Sequence, residues 1–226
     1  MFRCLSSALF AAAVSAASAE YSKNGADWKD LCEYGTEQSP INLSTAGATP
    51  SDKIEIAGFG YYDFKVNSSF SSTDVTKTIA FDSDALRKKA ELQVSFADGS
   101  QSNFQPLQFH FHSPSEHSVS GKLYDLEIHF VHTVRGSDSA AGSAMPEMPG
   151  AVIGVFFDTG VGGDYENAFI ASVLTAIQGK NLSSPPKVAL RDFLARMDMT
   201  EFWSYDGSLT TPPCTEGLKW SVMKQV

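Results

Sequence analysis

Basic residues are in short supply in this 226-residue chain, 17 Lys and Arg against 26 Asp and Glu, for a formal charge of −9. No Lys/Arg-rich block occurs, which argues against nucleic acid and anionic membrane as partners, because both need a positive footprint. No run of the mature chain approaches the roughly 18 apolar residues that a spanning helix requires. Internal repeats are absent, as is any linker long enough to divide two domains. Cysteine is scarce, with three residues. At this length a domain buries roughly 70% of its unfolded surface and needs no disulfide or metal as scaffold. Histidine is nearly missing too. His110, His112, His117, His129 and His132 all fall within one window of 23 residues, and no other position carries one. The rest is ordinary: 42% hydrophobic and 19% charged, the composition of a single globular domain.

Residues 1–19 begin Met1-Phe2-Arg3, run through an Ala-rich apolar stretch from Ala8 to Ala17, and end Ala17-Ser18-Ala19. That pattern predicts a secretory signal peptide with cleavage near Glu20. The mature chain, 20–226, is then a soluble protein of charge −10, with 16 basic and 26 acidic residues, outside the cell or in a periplasmic or endomembrane lumen. Cleavage removes Cys4 and leaves Cys32 and Cys214. In an oxidising compartment these invite one disulfide, two buried thiols being the other possibility. Asn42, Asn67 and Asn181 each open an Asn-x-Ser sequon, meaningful on a eukaryotic secretory route.

From Lys53 to Val134 the apolar pattern has period 2. It predicts strands over 53–57, 63–68, 76–82, 90–97, 106–113 and 125–134, with a hairpin-type turn at Ala97-Asp98-Gly99. The run Ala151 to Phe157 has the length of a buried strand. Helical spacing marks 165–177 and 187–197, the second preceded by Pro185-Pro186. Gly136 to Gly150, rich in Ser, Ala, Gly, Met and Pro, reads as a surface loop. The fold class is therefore mainly β with a few surface helices, in one domain.

Alternation in Gln108-Phe109-His110-Phe111-His112 sends both imidazoles to one face and both phenyl rings to the other. In Asp125 to His132, Glu127, His129 and Val131 share one face, and Ile128, Phe130 and His132 the other. An antiparallel neighbour relation between the two strands makes His110, His112 and His129 a tripod. Catalytic zinc takes three protein ligands and keeps a fourth position open, and three histidines are one of its known sets. Gln108, Glu127 and Glu116 stand where acceptors that fix imidazole tautomers are needed. His117 and His132 are surplus to the tripod and are assigned to structural hydrogen bonding.

The run QFHFHSPSEHSVSGKLYDLEIHFVH from Gln108 to His132, with Ser208-Leu209-Thr210-Thr211-Pro212-Pro213-Cys214 and Gln38-Ser39-Pro40-Ile41-Asn42, resembles α-class carbonic anhydrase, and the likeness extends from about Tyr21 to Val226. The resemblance implies a large, central, twisted, mostly antiparallel sheet. It also implies Zn²⁺ on His110, His112 and His129, with Gln108 and Glu127 behind the ligands. Glu116 and Thr210 match a pair in which the carboxylate takes the threonine proton. Val131, Val152, Leu209 and Trp220 match the apolar wall for carbon dioxide, Thr211 matches a residue beside the bicarbonate, and Cys32 and Cys214 match a disulfide of secreted members. Asn67 loosely matches a polar position. The implied reaction is reversible hydration of CO₂ to bicarbonate by zinc-bound hydroxide.

Two departures from the family pattern stand out. The proton-shuttle position falls near Ser69 or Phe70 and holds no histidine, so the shuttle is unknown and turnover is expected to depend on buffer. The residues after Lys219 match no Asn-x-Arg-Pro segment, which leads to the expectation of a C-terminally incomplete domain. A catalytically silent, extracellular binding module of the same family is the alternative. A secreted zinc hydrolase is a second rival, against which the lack of a His-Glu-x-x-His helix and the placement of the histidines on strands both argue. Oligomeric state is not legible in the chain.

Overall fold

A computed structural model describes residues 23, 25–44, 53–57, 70–72, 76–80, 90–134, 150–161, 166–178 and 190–226. The expected signal peptide, the sequons at Asn67 and Asn181, the expected strand 63–68 and the loop up to 149 lie outside them. The described strands are β1 (Asn42–Leu43), β2 (Lys53–Ala57), β3 (Phe70–Ser72), β4 (Thr76–Ala80), β5 (Glu91–Ser95), β6 (Gln101–His112), β7 (Ser118–Val119), β8 (Leu126–Val134), β9 (Gly150–Phe157), β10 (Phe202–Ser208) and β11 (Glu216–Met223). The helices are α1 (Leu31–Tyr34), α2 (Ala168–Gln178) and α3 (Leu190–Leu194).

Nine strands form one sheet in the order β10-β11-β9-β8-β6-β4-β3, with β5 also on β6 and β2 on β5. All its pairings are antiparallel except β11 with β9. β6 is twelve residues long, enough for two strands to share one edge: β4 lies beside Gln108–His112 and β5 beside Gln101–Phe104. Pro106 falls in the gap between them, and on the β8 side the register shifts between Pro106 and Gln108. A proline that cannot donate to a ladder is tolerated at such a bulge. The bulge explains why the strand starts at Gln101 rather than at 106, since period 2 breaks at Leu107.

Alternation divides the apolar residues between the two faces of the sheet. Phe104, Phe109, Ile128, Phe130, Ala151, Ile153 and Val155 pack under α2 and α3 with Phe169, Val173, Leu190 and Leu194. On the opposite face Val131, Val152, Phe156, Leu218, Trp220 and Val222 form a second cluster with Leu43 and Val119. α2 starts later than the spacing predicts, and α3 ends at Leu194 rather than 197, residues 187–189 lying outside the described ones. The Asn167 carboxamide accepts from the Phe169 and Ile170 amides at 3.0 and 3.2 Å, capping α2 at 168 instead of 165. α3 gives way to i→i+3 turns at Arg196 and Met197. No helix among the described residues is long and apolar enough to cross a membrane.

Candidate metal centre

β6 and β8 pair with His110 directly opposite His129, and His112 lies two residues along on the same face. The ring centroids are 5.1 Å apart for His110 and His129, 4.8 Å for His110 and His112, and 4.6 Å for His112 and His129. One ring nitrogen from each lies within 4.8 Å of the others. His129 Nδ1 and His110 Nε2 approach to 3.3 Å.

The outward nitrogens decide what the inward ones carry. His110 Nδ1 faces Gln108 Oε1 at 2.9 Å, and His129 Nε2 faces Glu127 Oε1 at 2.9 Å. Both partners are acceptors: Gln108 keeps the proton on His110 Nδ1 and a lone pair on His110 Nε2, and the Glu127 carboxylate, close to His129 Nε2 though not aligned with it for a hydrogen bond, favours the proton there. Two lone pairs at 3.3 Å repel unless a cation lies between them. His112 Nε2 is buried on the same side with no aligned hydrogen-bond partner. The donor set therefore fits a metal ion. Burial, reinforced by the neighbouring imidazoles, holds His110 and His112 well below the usual histidine range, in the neutral form a metal requires.

Glu127 is fully buried. Its Oε2 accepts from the Glu116 and His117 amides, each at 2.9 Å, and its Oε1 from His117 Nδ1 at 2.7 Å. Burial alone would raise its pKa; the neighbouring His129 ring and the hydrogen bond from His117 outweigh burial and keep it ionised. Glu116 differs. Burial pushes it up to about 7, although the Thr210 hydroxyl donates to it. Its Oε2 lies 3.3 Å from His112 Nε2 and 3.8 Å from His129 Nδ1, against one side of the tripod.

Beside the imidazoles, Val131 and Val152 are cross-strand partners, Trp220 lies next to Val152 on β11, and Leu209 packs on the same cluster. The Trp220 ring is 4.8 Å from that of His129. Thr210 and Thr211 sit in the turn after β10, closed by the Cys214 amide on the Thr211 carbonyl. Cys32 and Cys214 are joined in a disulfide. His117, Glu127 and His129 also cluster at metal-ligand distances, but both His117 nitrogens are taken, Nδ1 by Glu127 and Nε2 by the Tyr205 hydroxyl at 2.6 Å. His132 points to the opposite face, where Nδ1 meets the Phe130 carbonyl at 3.0 Å. Tyr205 and Ser39 carry no signal in the sequence that marks them as site residues; a tyrosine in a strand signals only core.

Residues 23–226 match the model of the eukaryotic-type carbonic anhydrase family, and the chain belongs to that family. It is 31% identical to alpha carbonic anhydrase 6 of Arabidopsis thaliana over 92% of its own length and 69% of the relative's. It is 30% identical to a carbonic anhydrase of Nostoc over 85% of this chain and 64% of that protein. The chain thus spans about two thirds of the length of these relatives. Among solved structures, the halotolerant carbonic anhydrase of Dunaliella salina superposes with a TM-score of 0.66 at 26% identity, covering 92% of this chain and 82% of that one. A carbonic anhydrase of Chlamydomonas reinhardtii, solved with acetazolamide, gives 0.61 at 27% identity over 88% and 78%.

Proposed function

We propose that this chain hydrates carbon dioxide reversibly to bicarbonate and a proton, with Zn²⁺ held by His110 Nε2, His112 Nε2 and His129 Nδ1. The observation that carries this reading is the convergence of one ring nitrogen each from His110, His112 and His129, with the acceptors Gln108 and Glu127 behind two of the three rings. Zinc in such a site supplies a water acidic enough to serve as nucleophile near neutral pH.

The protein's own residues do the rest. Gln108 and Glu127 fix the ligand tautomers. Glu116 takes the hydroxyl proton of Thr210, so the Thr210 oxygen is left as an acceptor that orients the nucleophile, a positioning effect. Val131, Val152, Leu209 and Trp220 would offer CO₂ an apolar surface beside His129, and Thr211, in the same turn as Thr210, would stand beside the departing bicarbonate. We assign export to residues 1–19, in keeping with the disulfide.

The test is zinc content together with CO₂ hydration and its inhibition by an aromatic sulfonamide. One zinc per chain with sulfonamide-sensitive hydration is expected; a zinc-replete protein that hydrates no CO₂ would make it a silent member of the family. All five histidines lie in the one block, so no histidine stands at Ser69 or Phe70 to carry protons out. Turnover should climb steeply with imidazole buffer concentration, and a high rate independent of buffer would contradict that.

A further inference from the structure

Behind the tripod runs a chain of polar groups that the reaction above leaves without a role. Glu127 Oε1 accepts from His117 Nδ1 at 2.7 Å, so His117 Nε2 carries the lone pair. The Tyr205 hydroxyl, 2.6 Å away, must then be the donor to Nε2. That leaves the Tyr205 oxygen to accept from Ser39 Oγ at 2.9 Å. Ser39 Oγ in turn accepts from the Ser208 amide at 3.1 Å, and the Ser39 amide donates to Ser208 Oγ at 2.9 Å. Each proton has one place, and all point from Ser39 toward Glu127.

The chain is tightly enclosed. A Cβ on Gly207 would fall 2.3 Å from Ser39 Oγ, 2.7 Å from the Tyr205 ring and 2.9 Å from Trp220, so a glycine keeps the space clear. The ring of Tyr205 stacks on Trp220 at 6.1 Å. His117 itself is wholly buried, and without the phenol its Nε2 would have no donor. The imidazole would lose one of the two anchors that hold Nδ1 on Glu127, and Glu127 is the group that aims His129 into the tripod.

We propose that Tyr205, anchored by Ser39, is a positioning residue for the metal centre: by holding His117 it keeps Glu127 against His129 Nε2. The inference rests on the zinc reading above. The experiment compares zinc release into excess chelator, and the visible spectrum of the Co²⁺-substituted protein, in the wild type, Tyr205→Phe, Ser39→Ala and Val94→Ala. Val94 is buried in the opposite core, away from the tripod, and controls for a general loss of stability. Tyr205→Phe should release zinc about tenfold faster, the low end for groups that orient ligands. Ser39→Ala should move in the same direction, and both should shift the cobalt bands. Val94→Ala should unfold at lower temperature with zinc release and spectrum unchanged. Wild-type release and spectrum in Tyr205→Phe, or an equal change in Val94→Ala, would overturn the positioning role alone. A wild-type chain that takes up no zinc would overturn the functional reading and this one with it.

Discussion

At the scale of single residues, the centre depends on Glu127 being surrounded by N–H donors alone. Three of them donate to its two oxygens, the amides of Glu116 and His117 and His117 Nδ1, and His129 Nε2 stands 2.9 Å from Oε1. Glu127→Gln keeps the shape but turns an NH₂ toward groups that are themselves donors, leaving buried donors facing each other. Zinc affinity should fall about 10- to 100-fold, measured by competition with a chelator; unchanged affinity would mean that His129 needs no orienting carboxylate. His132 offers a contrast on the other face of β8. Burial pushes it down to about 4 against the pull of the Phe130 and Ala151 carbonyls. In the unfolded chain it titrates near 6.5. Between those values the unfolded state binds a proton that the folded state refuses, so stability falls as pH drops from about 6.5 to 4, and His132 has no effect above that window. The full penalty is on the order of 3 kcal/mol. Thermal melts of the wild type and His132→Gln across this range should converge as pH falls, with the wild type losing more; parallel profiles would remove His132 as the cause.

At the scale of elements, the site is a property of three adjacent strands. β6 and β8 present the imidazoles, and β9 lies behind Glu127 with Gly154 opposite His129. A Cβ at Gly154 would come within 3.1 Å of Glu127 Oε1 and 3.4 Å of Val222. Glu127 is pinned by three hydrogen bonds and lies against His129 Nε2, so it cannot retreat freely. Gly154→Ala should therefore speed zinc loss several-fold while costing about 1–3 kcal/mol of stability, the range for overpacking a dense core, read from chelator release and thermal melts together; a destabilised variant with normal zinc release would place the clash on Val222 instead. The imidazole faces are legible in the sequence because strict alternation through His112 and from Asp125 to His132 assigns them. β10 is not, and of β11 only the stretch from Lys219 reads as the entry to a strand. Phe202-Trp203-Ser204-Tyr205-Asp206-Gly207-Ser208 has no clean period, since its register shifts at Gly207. β11 is buried over its length from Leu218 to Met223, and a strand covered on both faces loses the alternation that announces it. The Tyr205 to Ser39 contact spans 166 residues, and nothing local in either segment points to the other.

At the scale of the whole molecule, the turn that carries Thr210 is held by the amino-terminal segment. Gln38 Nε2 donates to the Cys214 carbonyl at 3.2 Å and to Glu216 Oε1 at 2.9 Å, and the Glu37 amide donates to the same carboxylate oxygen at 2.8 Å. Ser39 and Ser208 exchange hydrogen bonds beside them. The Cys32–Cys214 bond makes this clasp covalent across 182 positions. Closing so long a loop restricts the unfolded chain more than the folded one, which allows at most about 5 kcal/mol and typically about 2–4 kcal/mol. For a domain of this size about 3 kcal/mol corresponds to roughly 6–12 °C in melting temperature. The Cys32→Ser, Cys214→Ser double variant should melt lower by that amount. Because the hydrogen bonds of Gln38, Ser39 and Glu216 survive the exchange, its zinc content below the transition should match the wild type. A lower melting point with zinc retained assigns the disulfide to stability. If the variant instead loses zinc while still folded, the covalent clasp is needed to place the turn, and the three hydrogen-bonded side chains do not suffice.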